Sequence, residues 1–411
     1  MGSQTAYLGT DYSGVSGDVC RRTREGVAMK VLSFSYCFPN ADNPSWGIFV
    51  YQRLAALAQH TELKVCSPVP WFPLLKKATD RTTAERWNNT LPVFRPRFFY
   101  IPKVLKNSDA RLYATGLLPW FESLYRDWKP DILDAHFVWP DGVGVARLAQ
   151  TFNIPYVITL RGKLYECLKS ADQTRQCAKA LQGARMVISV SSRLAQEAMR
   201  LGVNREHLVV IPNGVDLEHF RVRDKLECRQ KLNLPQQGRL LVSMAHLGHR
   251  KGHHEVIEAL TELPEDVHLV IVGGEAQGGS SEQLLEMARK HGVAKRLILP
   301  GRQAYDLVPL YYSAADASVL ASYREGCPNA VLESLACGTP VVATDVGAVP
   351  DILPQPECGR IVPPQQVEPL QQGLHEILET SWDAQTLRAA SGVRSWDQVA
   401  EEVHKVFMAL L

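Results

Sequence analysis

Short apolar runs alternate with helix-patterned stretches along almost the whole of this chain, and no other feature narrows its possible folds as much. In the first half the runs are KVLSFSY (30–36), LKVCSP (63–68), DILDAHF (131–137), YVITL (156–160), MVISVS (186–191) and LVVIPNG (208–214). Helical patterns such as GIFVYQRLAALAQ (47–59) and SRLAQEAMRLG (192–202) lie between them. Apolar strands of this kind separated by helices predict parallel sheets covered on both faces. The rhythm breaks at the charged stretch EHFRVRDKLECRQKLNLPQQG (218–238), which reads as an inter-domain connection. It restarts at RLLVSMAHL (239–247) and continues through VHLVIVGGE, RLILPGR, ASVLAS, PVVATD and GRIVPP. A chain of 411 residues also exceeds what one core usually holds. The expected architecture is α/β, with two doubly wound units facing each other across a cleft, the usual place for a substrate.

The expected boundaries follow. Residues 1–28 are polar and Gly/Ser-rich, lack the apolar core of a signal peptide and read as a flexible leader. The first unit spans 29–217 and the second 218–394. An amphipathic helix, SWDQVAEEVHKVFMALL (395–411), closes the chain with no strand after it. No apolar run approaches the roughly 18 residues of a membrane span. A net charge of +2 predicts no nucleic-acid affinity. Nine cysteines without CxxC or zinc-type spacing point to a reducing compartment and a cytoplasmic protein. Two stretches, PWFPLLKK (70–77) and RPRFFYIPKVLK (95–106), mix aromatic and basic residues with no acid. That composition suits peripheral attachment to an anionic membrane surface, and equally a basic loop packed on its own domain.

Two segments carry candidate chemistry. In REGCPNAVLESLACGTPVV (324–342), Pro328 suits the first position of a helix running to about Cys337. Val331, Leu332, Leu335 and Ala336 form its apolar face, which leaves Glu333 on the other side and Glu325 in the entering loop. On residue type alone the two carboxylates are either solvated or ligands. In HLGHRKGHHE (246–255), Lys251, Gly252 and the following helix start fit a diphosphate, or an ordinary basic loop. The four histidines there lack zinc spacing, so no metal is expected. DGVGVAR (141–147) lacks the third glycine of a dinucleotide fingerprint, and neither a Walker sequence nor a G-x-S-x-G elbow occurs.

From Met29 onward the chain resembles the retaining glycosyltransferases of family four, which have the GT-B fold of two facing Rossmann-like domains. EGCPNAVLE has that family's pair of glutamates separated by seven residues. LACGTPVVATDVGAVPDIL, IPNGVDLEHF (211–220), RKG (250–252), VGG (272–274) and LPGR (299–302) occur in the family's order. The resemblance implies that Glu325 contacts the donor sugar, Glu333 the ribose, and the amides of Asn329, Ala330 and Val331 with Lys251 the diphosphate. It implies base recognition around Gly301 and Arg302 and a glycine turn at Gly47 near the donor phosphates. His136 becomes a cleft histidine touching the donor sugar. TLRGK (159–163) is another strand end facing the cleft, which makes Arg161 a candidate for acceptor or phosphate binding. Residue type alone leaves Gly47 as a plain helix start and His136 as a core histidine. Where many members have Gly-Arg before the lysine loop, this chain has Ala245-His246, so His246 or Arg250 would replace the arginine.

The implied reaction is metal- and cofactor-independent transfer from a nucleotide-sugar donor to a hydroxyl acceptor, lipid-linked in some settings. A UDP-sugar is the first choice of donor and GDP-mannose the second. A nucleotide-sugar epimerase and a non-catalytic binding protein of the same architecture are the competing readings. The closing helix, through Trp396, Val399, Val403, Val406 and Phe407, is expected to cross back onto the first domain.

Overall fold

The computed structural model describes residues 28–72, 81–88, 90–101, 104–276 and 278–411; residues 1–27 of the expected leader lie outside them. Strands β1 (Lys30–Phe34), β2 (Glu62–Cys66), β3 (Val69–Trp71), β4 (Arg81–Trp87), β5 (Leu91–Arg95), β6 (Arg97–Phe99), β7 (Ile132–His136), β8 (Tyr156–Leu160), β9 (Met186–Ser189) and β10 (Leu208–Val210) belong to the first half. Strands β11 (Arg239–Met244), β12 (Val267–Val272), β13 (Leu297–Gly301), β14 (Ala317–Leu320), β15 (Val341–Thr344) and β16 (Gly359–Val362) form the second. The first sheet has the order β10-β9-β8-β7-β1-β2-β5-β4 and is parallel except for the β4–β5 pair. The second, β13-β12-β11-β14-β15-β16, is wholly parallel and has the doubly wound 3-2-1-4-5-6 order. Every residue of β7 and β8 is buried, because helices cover both faces.

In such sheets ligands bind beyond the carboxyl ends of the strands where the order reverses. The reversals lie between β1 and β7 in the first sheet and between β11 and β14 in the second. Those ends carry His136, the 245–252 segment and the 321–328 loop.

The helix Trp396–Met408 buries Trp396, Val399, Ala400, Val403 and Phe407 against Val50, Leu54 and Leu57 of the Ile48–Leu57 helix and against first-sheet residues. Among the described residues no helix is long and apolar enough to cross a membrane.

The structure departs from the sequence reading in three places. The 69–99 region, read only for its composition, forms four strands, and β6 pairs with β3 in a small parallel sheet. Phe98 is buried there with its ring 5.2 Å from Tyr113, so part of the basic-aromatic stretch is domain wall. Trp71, Phe99, Val104 and Leu105 stay exposed, and residues 73–80 and 102–103 of the two stretches lie outside the described set. The 218–238 segment is more than a connection. Phe220 and Cys228 enter the second core, and the buried Arg229 guanidinium donates to Asp316 at 2.7 Å and to the Ala314 carbonyl at 2.9 Å. Finally, Pro328 is extended (φ −75°, ψ 108°) and caps the helix, which runs Asn329–Ala336.

Candidate active site

A cavity of about 370 Å³ opens where the two halves meet. Phe49, Arg161 and Asn213 line it from one side, and Ala245, His246, Lys251, Glu325, Gly326, Cys327, Pro328, Asn329, Ala330 and Glu333 from the other. A second space of about 220 Å³ shares His246, Lys251, Glu325 and Gly326 and adds Lys163, Glu166, Arg250 and Arg324. The backbones of the halves nearly touch here. A Cβ on Gly162 (φ +83°) would lie 3.4 Å from the Gly326 Cα.

Glu325 and Lys251, 74 residues apart, form an ion pair of 2.6 Å, both side chains less than a fifth exposed. Lys251 ends a short turn, His249–Lys251, and Gly252 in the left-handed region caps the helix after it. Glu333 keeps some surface at the cavity wall, but its carboxyl group is enclosed and accepts a 3.2 Å hydrogen bond from the Tyr312 hydroxyl. Burial pushes its pKa up to about 7, against the smaller opposite effect of that bond. The Val331 side chain is fully buried and its amide bonds back to the Pro328 carbonyl at 3.2 Å. The diphosphate role implied for Val331 therefore has no free donor, which leaves Asn329 and Ala330 with first-turn amides lacking an intrahelical partner.

His246 lines both spaces, its Nδ1 accepting the Gly248 amide at 3.1 Å. Burial, then Lys251 and Arg250, lower its pKa. Each of those effects disfavours the charged ring. Arg250 reaches only the smaller space.

His136 does not reach the cavity surface. It is fully buried, its Nε2 lies 2.9 Å from Asp134 Oδ2, and its Nδ1 accepts from Arg161 Nε at 3.2 Å. Burial holds its pKa at about 4, so the ring is neutral. With both nitrogens engaged behind Arg161, it has no group left for a donor sugar, and the expected sugar contact is corrected to a support for Arg161. Ser33 Oγ also donates to Asp134, at 2.9 Å. Beyond Arg161 the bonds continue through Asn213 (2.9 Å) to Asn329 (2.8 Å) in the other half.

Gly47 (φ +70°) starts its helix so close to Cys37 that a Cβ would stand 2.2 Å from the Cys37 carbonyl oxygen; Phe49, two residues on, is what faces the cavity. Gly301 and Arg302 also lie off the cavity lining, and Arg302 donates across the interface to Ser45 at 3.1 Å. Sequence reasoning missed Asp134, Asn213 and Tyr312. Asp134 was findable, since it shares a strand face with His136 at spacing two. Asn213 sits inside IPNGV, and nothing local marks Tyr312. Among the described residues no group of three or more His, Cys, Asp or Glu is arranged to hold a metal ion.

Comparisons with known proteins place the chain in a family. Residues 40–219 match the family model "Glycosyltransferase Family 4", and residues 224–391 match "Glycosyl transferases group 1". A Bacillus subtilis protein named as a teichuronic acid biosynthesis glycosyltransferase, TuaC, is 32% identical over 335 residues, 78% of this chain and 82% of that one. In fold the chain is similar to sucrose-phosphate synthase from Thermosynechococcus elongatus (TM-score 0.76, 21% identity, 93% of this chain and 99% of that one). It is also similar to Anabaena Alr3699/HepE, solved in complex with UDP (TM-score 0.73, 20% identity, 93% and 100% covered). Family models matched over residues 40–219 and 224–391, a relative 32% identical over most of both chains, and a fold of two Rossmann-like domains together make this chain a group 1 glycosyltransferase of family four.

Proposed function

We propose that this protein transfers a hexose from a UDP-sugar to an acceptor hydroxyl with retention of anomeric configuration, without a metal ion, in assembly of a polysaccharide or glycolipid. One observation carries the reading: Glu325 and Glu333 face one cavity with Lys251, and the first turn of the Asn329–Ala336 helix separates them along the chain. Carboxylates accept hydrogen bonds from neutral hydroxyls and repel phosphate, so Glu325 suits the sugar and Glu333 the ribose. The amides of Asn329 and Ala330, with Lys251, suit the diphosphate between them. Lys251 exchanges Glu325 for the phosphates as the donor enters. In the reaction the bond from the anomeric carbon to the phosphate oxygen breaks. The acceptor oxygen bonds the same face of that carbon, and its proton passes to the departing phosphate oxygen, whose growing charge Lys251 and the helix start stabilise.

On this reading residues 29–217 receive the acceptor, 218–394 hold the nucleotide sugar, and 395–411 ties the second unit to the first. The UDP and UDP-glucose complexes of the Anabaena protein support a uridine donor. The name of the Bacillus subtilis relative, with its teichuronic acid biosynthesis, supports a biosynthetic glycosyl transfer. Exposed Trp71, Phe99, Val104 and Leu105 would rest on the cytoplasmic face of an anionic membrane. Mass spectrometry of products after incubation with a panel of sugar nucleotides and a lipid extract tests the reaction. Turnover with donor and extract supports it. An epimerised donor without extract, or no turnover with any donor, refutes it, and turnover with GDP-mannose alone refutes the choice of base.

A further inference from the structure

Three cationic or basic side chains line the larger cavity: Arg161, His246 and Lys251. Lys251 is paired with Glu325 at 2.6 Å, and burial together with Lys251 and Arg250 disfavours the charged form of His246. Arg161 is the lining cation whose bonded partners are both uncharged, His136 and Asn213. Its Nη2 has no hydrogen-bond partner although the residue is only 9% exposed. A buried guanidinium left with unspent N–H groups is costly unless an anion meets it.

The groups behind it do not supply that anion. Arg53, fully buried beneath the cleft, likewise leaves its Nε and Nη2 unbonded, and its charge bears on both Arg161 and Asp134. Asp134 is the one carboxylate of this cluster, held well below its usual range because His136, Arg53 and Ser33 outweigh the effect of burial. Among Arg161, Arg53, Asp134 and His136, two guanidiniums against one carboxylate and a neutral imidazole leave a formal surplus of one positive charge. Arg161 also stands at the place where a donor's phosphates would arrive. Asn213, which it holds, donates to Asn329 at the first position of the Asn329–Ala336 helix, whose free amides and dipole favour an anion at the same spot.

We infer that the Arg161 guanidinium, seated by His136 and Asp134, is the cation from the first half that binds the donor's diphosphate, in place of the arginine that the Ala245-His246 segment lacks. Arg161 is the phosphate-contacting group; His136 and Asp134 are positioning residues, fixing the ring tautomer that accepts from Arg161 Nε. This rests on the nucleotide-sugar reading above and adds a ligand that the second half alone does not contain.

The test compares a nucleoside diphosphate with its nucleoside, using UDP with uridine and GDP with guanosine. Affinities are measured by isothermal titration calorimetry, with the nucleosides by displacement, for wild type, Arg161→Gln, Arg161→Lys and Asp134→Asn. Arg161→Gln should weaken the diphosphate about 10- to 100-fold and leave the nucleoside within about twofold. Arg161→Lys, which keeps the charge without the planar fork, should fall between Arg161→Gln and wild type, as should Asp134→Asn. Equal weakening of diphosphate and nucleoside would reduce Arg161 to a structural role and overturn the inference. Unchanged diphosphate affinity with a raised acceptor KM would assign the residue to an acceptor anion and overturn it as well. A wild-type protein that binds neither diphosphate would instead remove the donor reading itself.

Discussion

Glu333 is held in the folded protein largely as a neutral acid up to about pH 7, so stability should depend on pH in a direction and size that follow from its surroundings. Burial raises its pKa to about 7, and an unfolded glutamate titrates near 4.3. Because the folded value is the higher, the contribution is fully present below about pH 4.3 and is lost as the pH rises through about 7. Between pH 5.5 and 8 the linkage relation gives a loss of about 2 kcal/mol. The surface Glu333 keeps at the cavity wall calls for a discount of roughly half, which leaves about 1 kcal/mol. For a unit of this size that is about 2–4 °C in Tm. The buried Asp141, also raised to about 7, titrates in the same window, so wild type must be compared with Glu333→Gln, in which only the Glu333 contribution disappears. Differential scanning fluorimetry from pH 5.5 to 8 should show the wild-type Tm falling about 2–4 °C more than that of the variant. Parallel curves, or a larger fall in Glu333→Gln, would refute the enclosed, proton-holding environment assigned to this carboxylate.

Glu325→Gln should lower turnover by roughly 10²-fold while the calorimetric affinity for bare UDP stays within about twofold, since that ligand carries no sugar for Glu325 to touch. Lys251→Ala should damage both UDP affinity and turnover, because it removes a phosphate partner in ground and transition states alike and leaves Glu325 without its 2.6 Å counter-charge. Sedimentation with liposomes should show binding to anionic but not neutral vesicles, and Trp71→Ser with Leu105→Ser should abolish it; equal sedimentation with both vesicle types would count against the membrane face.

The two-unit fold was legible because parallel strands buried on both faces are written as unbroken apolar runs. β7 and β8, ILDAH and YVITL, are of this kind. RTTAERW, which forms β4, is polar and occupies the sheet edge, antiparallel to β5. It carries no such run, and its neighbourhood was read for charge instead. In the site, the glutamate spacing and the lysine loop were visible because each lies within one short segment. The Lys251–Glu325 pair was not, since a contact across 74 residues leaves no local pattern. His136 was correctly given a strand end, but the burial of that end depends on the neighbouring strand. β8 runs parallel beside β7 with Thr159 opposite His136, so Arg161, two residues further, projects past the histidine and covers it. Which of two adjacent strand ends reaches the ligand is a matter of register, and register between β7 and β8 is set by the whole sheet.

The site exists only while the halves stay in register, and two kinds of contact compete for that role. Across the cleft run polar pairs: Arg193 to Asp345 at 2.7 Å, Ser192 to Asp351 at 2.8 Å, Gln52 to Tyr305 at 2.9 Å and Arg324 to Glu166 at 3.2 Å. Most have exposed members, and pairs of that sort contribute about 0.2–1 kcal/mol each and are screened by salt. The helix Trp396–Met408 instead follows directly on the second unit and buries Trp396, Val399, Val403 and Phe407 in the core of the first. Large apolar side chains are worth about 1.5–3 kcal/mol each when fully buried. Where the chain returns, Ser395 bridges to Val215, and the Val215 amide bonds to the Arg394 carbonyl at 2.9 Å, so both crossings between the units lie side by side. By magnitude the helix outweighs any single pair at the cleft. A chain ending at Ser395 should therefore lose solubility, because Val50, Leu54 and Leu57 become an exposed apolar face, and its Tm should fall by more than about 5 °C. Glu166→Gln, which breaks one cleft pair, should leave Tm within about 1 °C. A truncated chain that stays soluble, melts with the wild type and turns over normally would show that the cleft contacts, not the closing helix, hold the two units in register.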